Sequence, residues 1–195
     1  MGVRRIVKLS AFGADVSSPV ALMRDHAETE DEIKASGLAW TFIRPHLYMQ
    51  NLLRFGEKVA EHDTFSAPMA HDAYSLVDTR DIAEVAARIL TTDGHESQVY
   101  TLTSPYASTY DEIAQDLSEI LGRKVTYQAQ APEDFESDLL KQATPDWRAY
   151  DLAYISKAYP NGSKQLVTSD IEKLLGREAR NIKEFLTDHQ SVFQK

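Results

Sequence analysis

Apolar and polar positions open the chain in a strand, helix, strand order. Arg4–Ser10 (RRIVKLS) carries the branched apolar residues of a short strand and breaks at Phe12-Gly13-Ala14. A helix is predicted from Ser18 as N-cap, with Pro19 at the first helical position, to Ser36, where Gly37 stops it. Val20, Met23, Ala27 and Ile33 form its apolar stripe. Glu30 interrupts that stripe, and a carboxylate placed there needs a partner. Leu38–Arg44 (LAWTFIR) is the clearest strand in the chain, ended by Pro45. Two strands joined by one helix make a βαβ unit, with parallel pairing and a right-handed crossover.

The alternation continues. Tyr48, Leu52, Phe55 and Val59 stand at helical spacing within 47–61, and Tyr74–Val77 reads as a short strand. Asp78 or Thr79 caps a helix whose apolar face is Ile82, Val85, Ala86, Ile89 and Leu90. Gln98–Thr103 is a strand, Thr109-x-x-Glu112 a capping box for a helix closed by Gly122, and Lys124–Ala129 another strand. After Pro132 the pattern gives helices without strands: 133–143, 147–159, 169–175 (with Ser169-x-x-Glu172 as a second capping box) and 182–193. The fold class is therefore α/β, with an α/β part over 1–131 and a smaller, mostly helical lobe over 132–195.

Composition narrows what such a fold does. The 195 residues include no cysteine, which removes thiol catalysis, disulfide scaffolds and cysteine-ligated zinc, and points to a reducing, cytoplasmic setting. A net charge of −9 disfavours nucleic acid and anionic membrane as partners. No apolar run approaches the ~20 residues of a membrane span. The six histidines include no HxH or HExxH pairing, so no metal site is encoded by spacing. The eight glycines stand far apart, at 2, 13, 37, 56, 94, 122, 162 and 176. A phosphate-cradling loop needs glycines a few residues apart at a helix N-terminus, and this sequence has none.

The runs His26-Ala-Glu-Thr-Glu30, Ser36-Gly37-Leu38 and Thr41-Phe-Ile-Arg44-Pro45, followed by Tyr48-Met49-x-Asn51, resemble the NmrA-like family. Val77-Asp78-Thr79-Arg80-Asp81-Ile82-Ala83, Tyr100–Pro105 and Leu174-Leu-Gly-Arg177 continue the resemblance over nearly the whole chain. It implies an atypical short-chain dehydrogenase/reductase: a Rossmann-like parallel sheet, a smaller substrate-side lobe, and NADP(H) or NAD(H) as cofactor. In that family the segment similar to Arg4–Ser10 is the fourth strand, preceded by three βα units that carry the Gly-rich turn. At about 30 residues per unit, roughly 90 residues of the family pattern have no counterpart here. The resemblance thus implies the C-terminal two thirds of such a protein, with dinucleotide binding by this chain alone in doubt.

Site residues follow from the same resemblance. Reductases of this superfamily place a Tyr and a Lys four residues apart on the helix after the fourth strand. Here Leu22 falls at the Tyr position and His26 at the Lys position, so the ordinary proton donor is not encoded. His26 and Tyr48 are the candidate catalytic residues. His26 either bonds a nicotinamide ribose hydroxyl or donates a proton near neutral pH, or else it simply pairs with Glu30 one turn on. Ser10, Ala11, His26, Pro45, His46 and Leu47 are expected on the cofactor, and Tyr48, Asn51 and Trp147 on the substrate. Tyr48 has a structural alternative, in a helix core with Leu52 and Phe55.

Three functions stay open on these residues: an NADPH-dependent reductase of small carbonyl or quinone compounds, a redox sensor that binds dinucleotide without turnover, and a chain inactive on its own. The Rossmann strand order places the missing first strand beside Arg4–Ser10. That segment is therefore expected as a bare edge, covered by a second copy in a homodimer or by a separate chain.

Overall fold

The computed structural model describes residues 2–159 and 162–195. β1 (Arg5–Leu9) leads through a turn to α1 (Ala21–Ala35), which returns the chain to β2 (Ala39–Pro45). A 3-10 helix (Met49–Phe55) runs directly into α2 (Gly56–His62), followed by β3 (Thr64–Ala67) and α3 (Thr79–Thr91). Next come β4 (Gln98–Leu102), α4 (Tyr110–Leu121) and β5 (Thr126–Ala129). Then α5 (Pro132–Lys141), α6 (Asp146–Ala153), α7 (Asp170–Leu175) and α8 (Ile182–Asp188) complete the chain with two short 3-10 turns.

Both sheets are parallel, as the alternating pattern requires. The larger has strand order β1-β2-β4, with Val7 opposite Thr41 and Ile43 opposite Tyr100. The smaller pairs β3 with β5. α3 buries Ile82, Val85 and Ile89 against Ile43 and Leu102 of the larger sheet and against Val77. A second core joins Leu52, Phe55, Phe65, Tyr74, Tyr110, Phe185 and Phe193, so the smaller sheet and the C-terminal helices share one interior. α5 packs on α6, whereas α7 lies on α3 and β4, and α8 on α4.

The two outer edges of the larger sheet differ. Along β4, the Asp170 carboxylate accepts from Thr101 N at 3.0 Å and the Thr168 hydroxyl donates to the Thr101 carbonyl. β1 has β2 as its one neighbour among the described residues, and Leu9 at its end is 50% exposed. Between β1 and α3 lies an apolar groove lined by Val7, Leu9, Ile43, Ile82, Ala86 and Leu90.

Several local expectations are corrected. Ser18-Pro19 does not open α1; the helix starts at Ala21, because the Asp151 carboxylate accepts from the amides of Ala21 and Leu22 at 2.9 and 2.8 Å. A partner 130 residues away satisfies the donors that the local cap was expected to take. Tyr74–Val77 is no strand: Tyr74 bridges to Ser108 and Val77 to Tyr48, so the segment changes partner before a ladder forms. β3 was not anticipated; its four residues are too few to show a period. Thr109 and Glu112 do close a capping box, but Ser169 makes no side-chain cap. Asn181 with Glu184 forms the second box instead.

Candidate functional site

Parallel strands end on the same side, so the C-terminal ends of β1 and β2 open one cleft together. Their pairing continues past the strands: Ser10 N donates to the Ile43 carbonyl at 2.7 Å and Phe12 N to the Pro45 carbonyl at 2.9 Å. Pro45–Tyr48 is stitched in on its other side. His46 N donates to Leu102 O at 3.0 Å, and Val77 N to Leu47 O at 2.8 Å. Gly13 adopts φ +89°, and a Cβ there would meet the Ala158 carbonyl at 2.9 Å, so this turn can lie directly on the C-terminal segment.

The resulting cavity measures about 180 Å3. Ser10, Ala11, His26, Pro45, His46, Leu47, Tyr48 and Asn51 all line it, with Phe12, Leu22, Met23, Leu152, Ile155 and Tyr159. Every site residue expected from the sequence is thus gathered in one place except Trp147. That residue stands 63% exposed in the first turn of α6 and is not among the lining.

Beneath the cavity lies a polar network. Alternation along β1 turns Lys8 and Ser10 toward α1. The Ser10 hydroxyl donates to Glu30 Oε1 at 2.5 Å, and Arg44 donates through Nε to the same oxygen at 2.8 Å and through a second nitrogen to Oε2. Glu30 is 1% exposed. Burial works to raise its pKa, but the hydrogen bonds from Arg44 and Ser10, with the Arg44 charge, outweigh burial and hold it below the usual carboxylate value. Glu30 therefore has the partner its position demanded, and that partner is not His26. Lys8 Nζ lies 2.8 Å from His26 Nδ1 instead. Since an ammonium only donates, Nδ1 accepts and the His26 proton sits on Nε2. Burial, then the Lys8 charge, hold His26 below 6.5 against Glu30 and Asp25, so its ring is neutral at pH 7. Burial likewise lowers Lys8, with Arg44 adding to the effect and Glu30 opposing it.

His46 packs in a cluster of three near-parallel rings, with its centroid 5.2 Å from Phe12 and 4.6 Å from Tyr159, which are themselves 5.7 Å apart. Leu47 N donates to His46 Nδ1 at 2.8 Å, which puts its proton on Nε2. Nε2 is buried against the Lys164 backbone without a well-formed hydrogen bond. Burial drives the His46 pKa down to about 4, so this ring acts as a neutral wall. Tyr48 is half-buried and reaches both the cleft and the apolar groove; burial pushes its phenol above the ordinary value. Ser10 has spent its amide on Ile43 and its hydroxyl on Glu30, leaving neither donor for a ligand.

Sequence reasoning missed Lys8, Phe12, Tyr159 and Asp151. Lys8 was within reach of it, two residues before Ser10 on the same strand face. Tyr159 and Asp151 gave no sign, because nothing local marks a residue whose partner, His46 or Ala21, lies in a distant part of the sequence.

The sequence pattern of the NmrA-like family matches residues 2–189. The chain belongs to the NmrA-like family. It is 34% identical over 192 residues to the NAD(P)H azoreductase of Xenophilus azovorans, covering 98% of this chain and 67% of that protein. It is similar in structure to an NADPH-dependent quinone oxidoreductase from Escherichia coli, with TM-score 0.86 and 30% identity over 97% of this chain and 68% of that one. The same oxidoreductase complexed with NADPH gives TM-score 0.85 at 29% identity, over 97% of this chain and 66% of that one. This member of the family spans about two thirds of the length of these relatives. No described helix is long and apolar enough to cross a membrane.

Proposed function

We propose that this NmrA-like chain supplies the nicotinamide and substrate side of an NAD(P)H-dependent reductase of small quinone or carbonyl compounds. The observation that carries this is the single cleft at the ends of β1 and β2, where Ser10, Ala11, Pro45, His46 and Leu47 meet His26, Tyr48 and Asn51. At about 180 Å3 it is smaller than the ~300–1,000 Å3 that enclose a drug-sized ligand. It fits one flat ring and not a whole dinucleotide, and the sequence holds no Gly-rich loop for the phosphates.

When bound, the nicotinamide supplies a hydride. The chain's own residues bind, exclude water and hold protons. The Phe12–His46–Tyr159 stack with Leu22, Met23 and Ile155 makes the wall dry, which strengthens hydrogen bonds made inside it. Ser10 is engaged and His46 turns its proton toward Lys164, so Tyr48, His26 and Asn51 are the side chains that meet charge developing on an acceptor oxygen. Tyr48 stays protonated at neutral pH and holds the proton to be delivered; Lys8 keeps the His26 proton on Nε2.

The expected result is NADPH-dependent reduction of a simple quinone, with Tyr48→Phe lowering kcat by about a hundredfold and leaving KM for NADPH unchanged. No turnover, or a Tyr48→Phe variant of full activity, would sink this reading. A second reading rests on Leu22, which lines the cleft where the superfamily's acid would stand. It makes the protein a binder of dinucleotide without turnover, and saturable NADPH binding with no reduction would select it.

The β1 edge belongs to the same proposal. Its unpaired outer side and the apolar groove beside it support pairing with a second copy of the chain or with a separate chain. The chain is expected to sediment as a dimer with the Arg4–Ser10 amides protected from exchange. A monomer in which those amides exchange freely overturns that pairing. Cytoplasmic residence is also proposed, supported by the cysteine-free composition alone.

A further inference from the structure

A second cavity lies on the other side of the 3-10 helix that carries Asn51. It is larger, about 400 Å3, and runs between α2, the β3 and β5 strands, and α5. Phe55, Phe135 and Leu139 give it apolar walls, while Arg54 and Lys58 line it with positive charge. Arg54 is held by aromatic faces, its guanidinium 5.0 Å from the Phe55 ring centre and 5.7 Å from that of Phe135. These ring contacts use none of its N–H donors as hydrogen bonds.

The charges do not cancel inside the groove. Asp138 is an acid on its wall, but Lys141 takes its Oδ1 at 2.9 Å and Gln130 its Oδ2 at 2.9 Å. Arg54 and Lys58 make no hydrogen bond or ion pair among the described residues. The lining therefore carries three cations against one acid, on a chain whose net charge is −9. Arg54 as a residue is exposed, yet its head is dry enough that burial lowers its pKa. A guanidinium set against two aromatic rings without a carboxylate is a position an anion stabilises.

We infer that this groove binds a small aromatic carboxylate, its carboxylate on Arg54 with Lys58 beside it and its ring against Phe135 and Leu139. Flat rings suit those walls, and a volume of about 400 Å3 lies within the ~300–1,000 Å3 range of small-molecule sites. The proposal does not depend on the reductase reading, because neither a dinucleotide nor turnover enters it.

The probe is naphthoate, with naphthamide as the uncharged control of the same shape, followed by NMR on the whole chain. Naphthoate is expected to shift the Arg54 and Gln130 side-chain resonances and the Phe135 ring saturably. Its affinity should exceed that of naphthamide by roughly tenfold or more, the size of one charge-assisted hydrogen bond. Arg54→Gln should remove that advantage, and Lys58→Gln, on an exposed turn of α2, should weaken naphthoate by about threefold without touching the fold. Equal affinity for the two probes overturns the proposal. So do shifts centred on Tyr48 and Asn51 in the cleft, or a folded Arg54→Gln that keeps the preference. If Arg54→Gln fails to fold, an unchanged affinity in Lys58→Gln overturns it instead.

Discussion

Replacing Glu30 by alanine is expected to lower stability by about 3–5 kcal/mol, the cost of breaking a buried ion pair by removing one partner. The truncation leaves three donors without their acceptor: two nitrogens of the Arg44 guanidinium and the Ser10 hydroxyl. Arg44 is 27% exposed on its side chain, so water recovers part of its hydration and the lower end of that range is expected. Glu30→Gln keeps the shape and one acceptor, and should lose less. Urea midpoints of the three proteins give the comparison, and an alanine variant within about 1 kcal/mol of the parent contradicts the argument. The acid side has a definite sign. A carboxyl held below its unfolded value stabilises the fold above that unfolded value and ceases to do so as pH falls through the folded one. The Glu30 contribution is therefore lost only below the ordinary carboxylate range.

His46 predicts a loss at higher pH. Its pKa falls from 6.5 to about 4 on burial, so between those values the unfolded chain takes up a proton that the folded chain refuses. The stabilisation is full above 6.5, shrinks as pH drops, and is gone at about 4. At 1.36 kcal/mol per pKa unit, the loss over that window is on the order of 3 kcal/mol. His26, also lowered, adds to it in the same direction. His46→Phe keeps the stack with Phe12 and Tyr159 and removes the titration. Its stability should change with pH by about 3 kcal/mol less than the parent's between 6.5 and 4, whatever its absolute value. Parallel pH profiles for the two proteins would show that His46 is not held neutral.

Much of this was legible in the chain, and the reason differs by residue. The strand, helix, strand opening was readable because branched apolar runs and a helical stripe are local signals. Glu30 announced itself by breaking that stripe, and its need for a partner could be stated before the partner was known. Arg44, at the end of the strongest strand, was in view but not matched to it, since one turn of helix makes His26 the nearer guess. Spacing alone does not choose between a neighbour on the same helix and a neighbour on the adjacent strand. Trp147 shows the opposite failure. A tryptophan near a substrate lobe suggests a binding face, yet the first turn of α6 points it to solvent. The start of α1 was misplaced because Ser18-Pro19 obeys every local rule for a cap while the actual cap comes from α6.

The hold of Asp151 on α1 also sets an order of assembly. β1, α1 and β2 lie within the first 45 residues, but α1 keeps bare amides at its first turn until residue 151 arrives. At about 5–20 residues per second, a ribosome needs on the order of ten seconds to make the intervening 130. During that interval those amides lack the acceptor that seats the helix carrying His26 and Glu30. The Asp151 contact thus ties α1, with His26 and Glu30 on it, to the segment that brings Leu152, Ile155 and Tyr159 to the cleft.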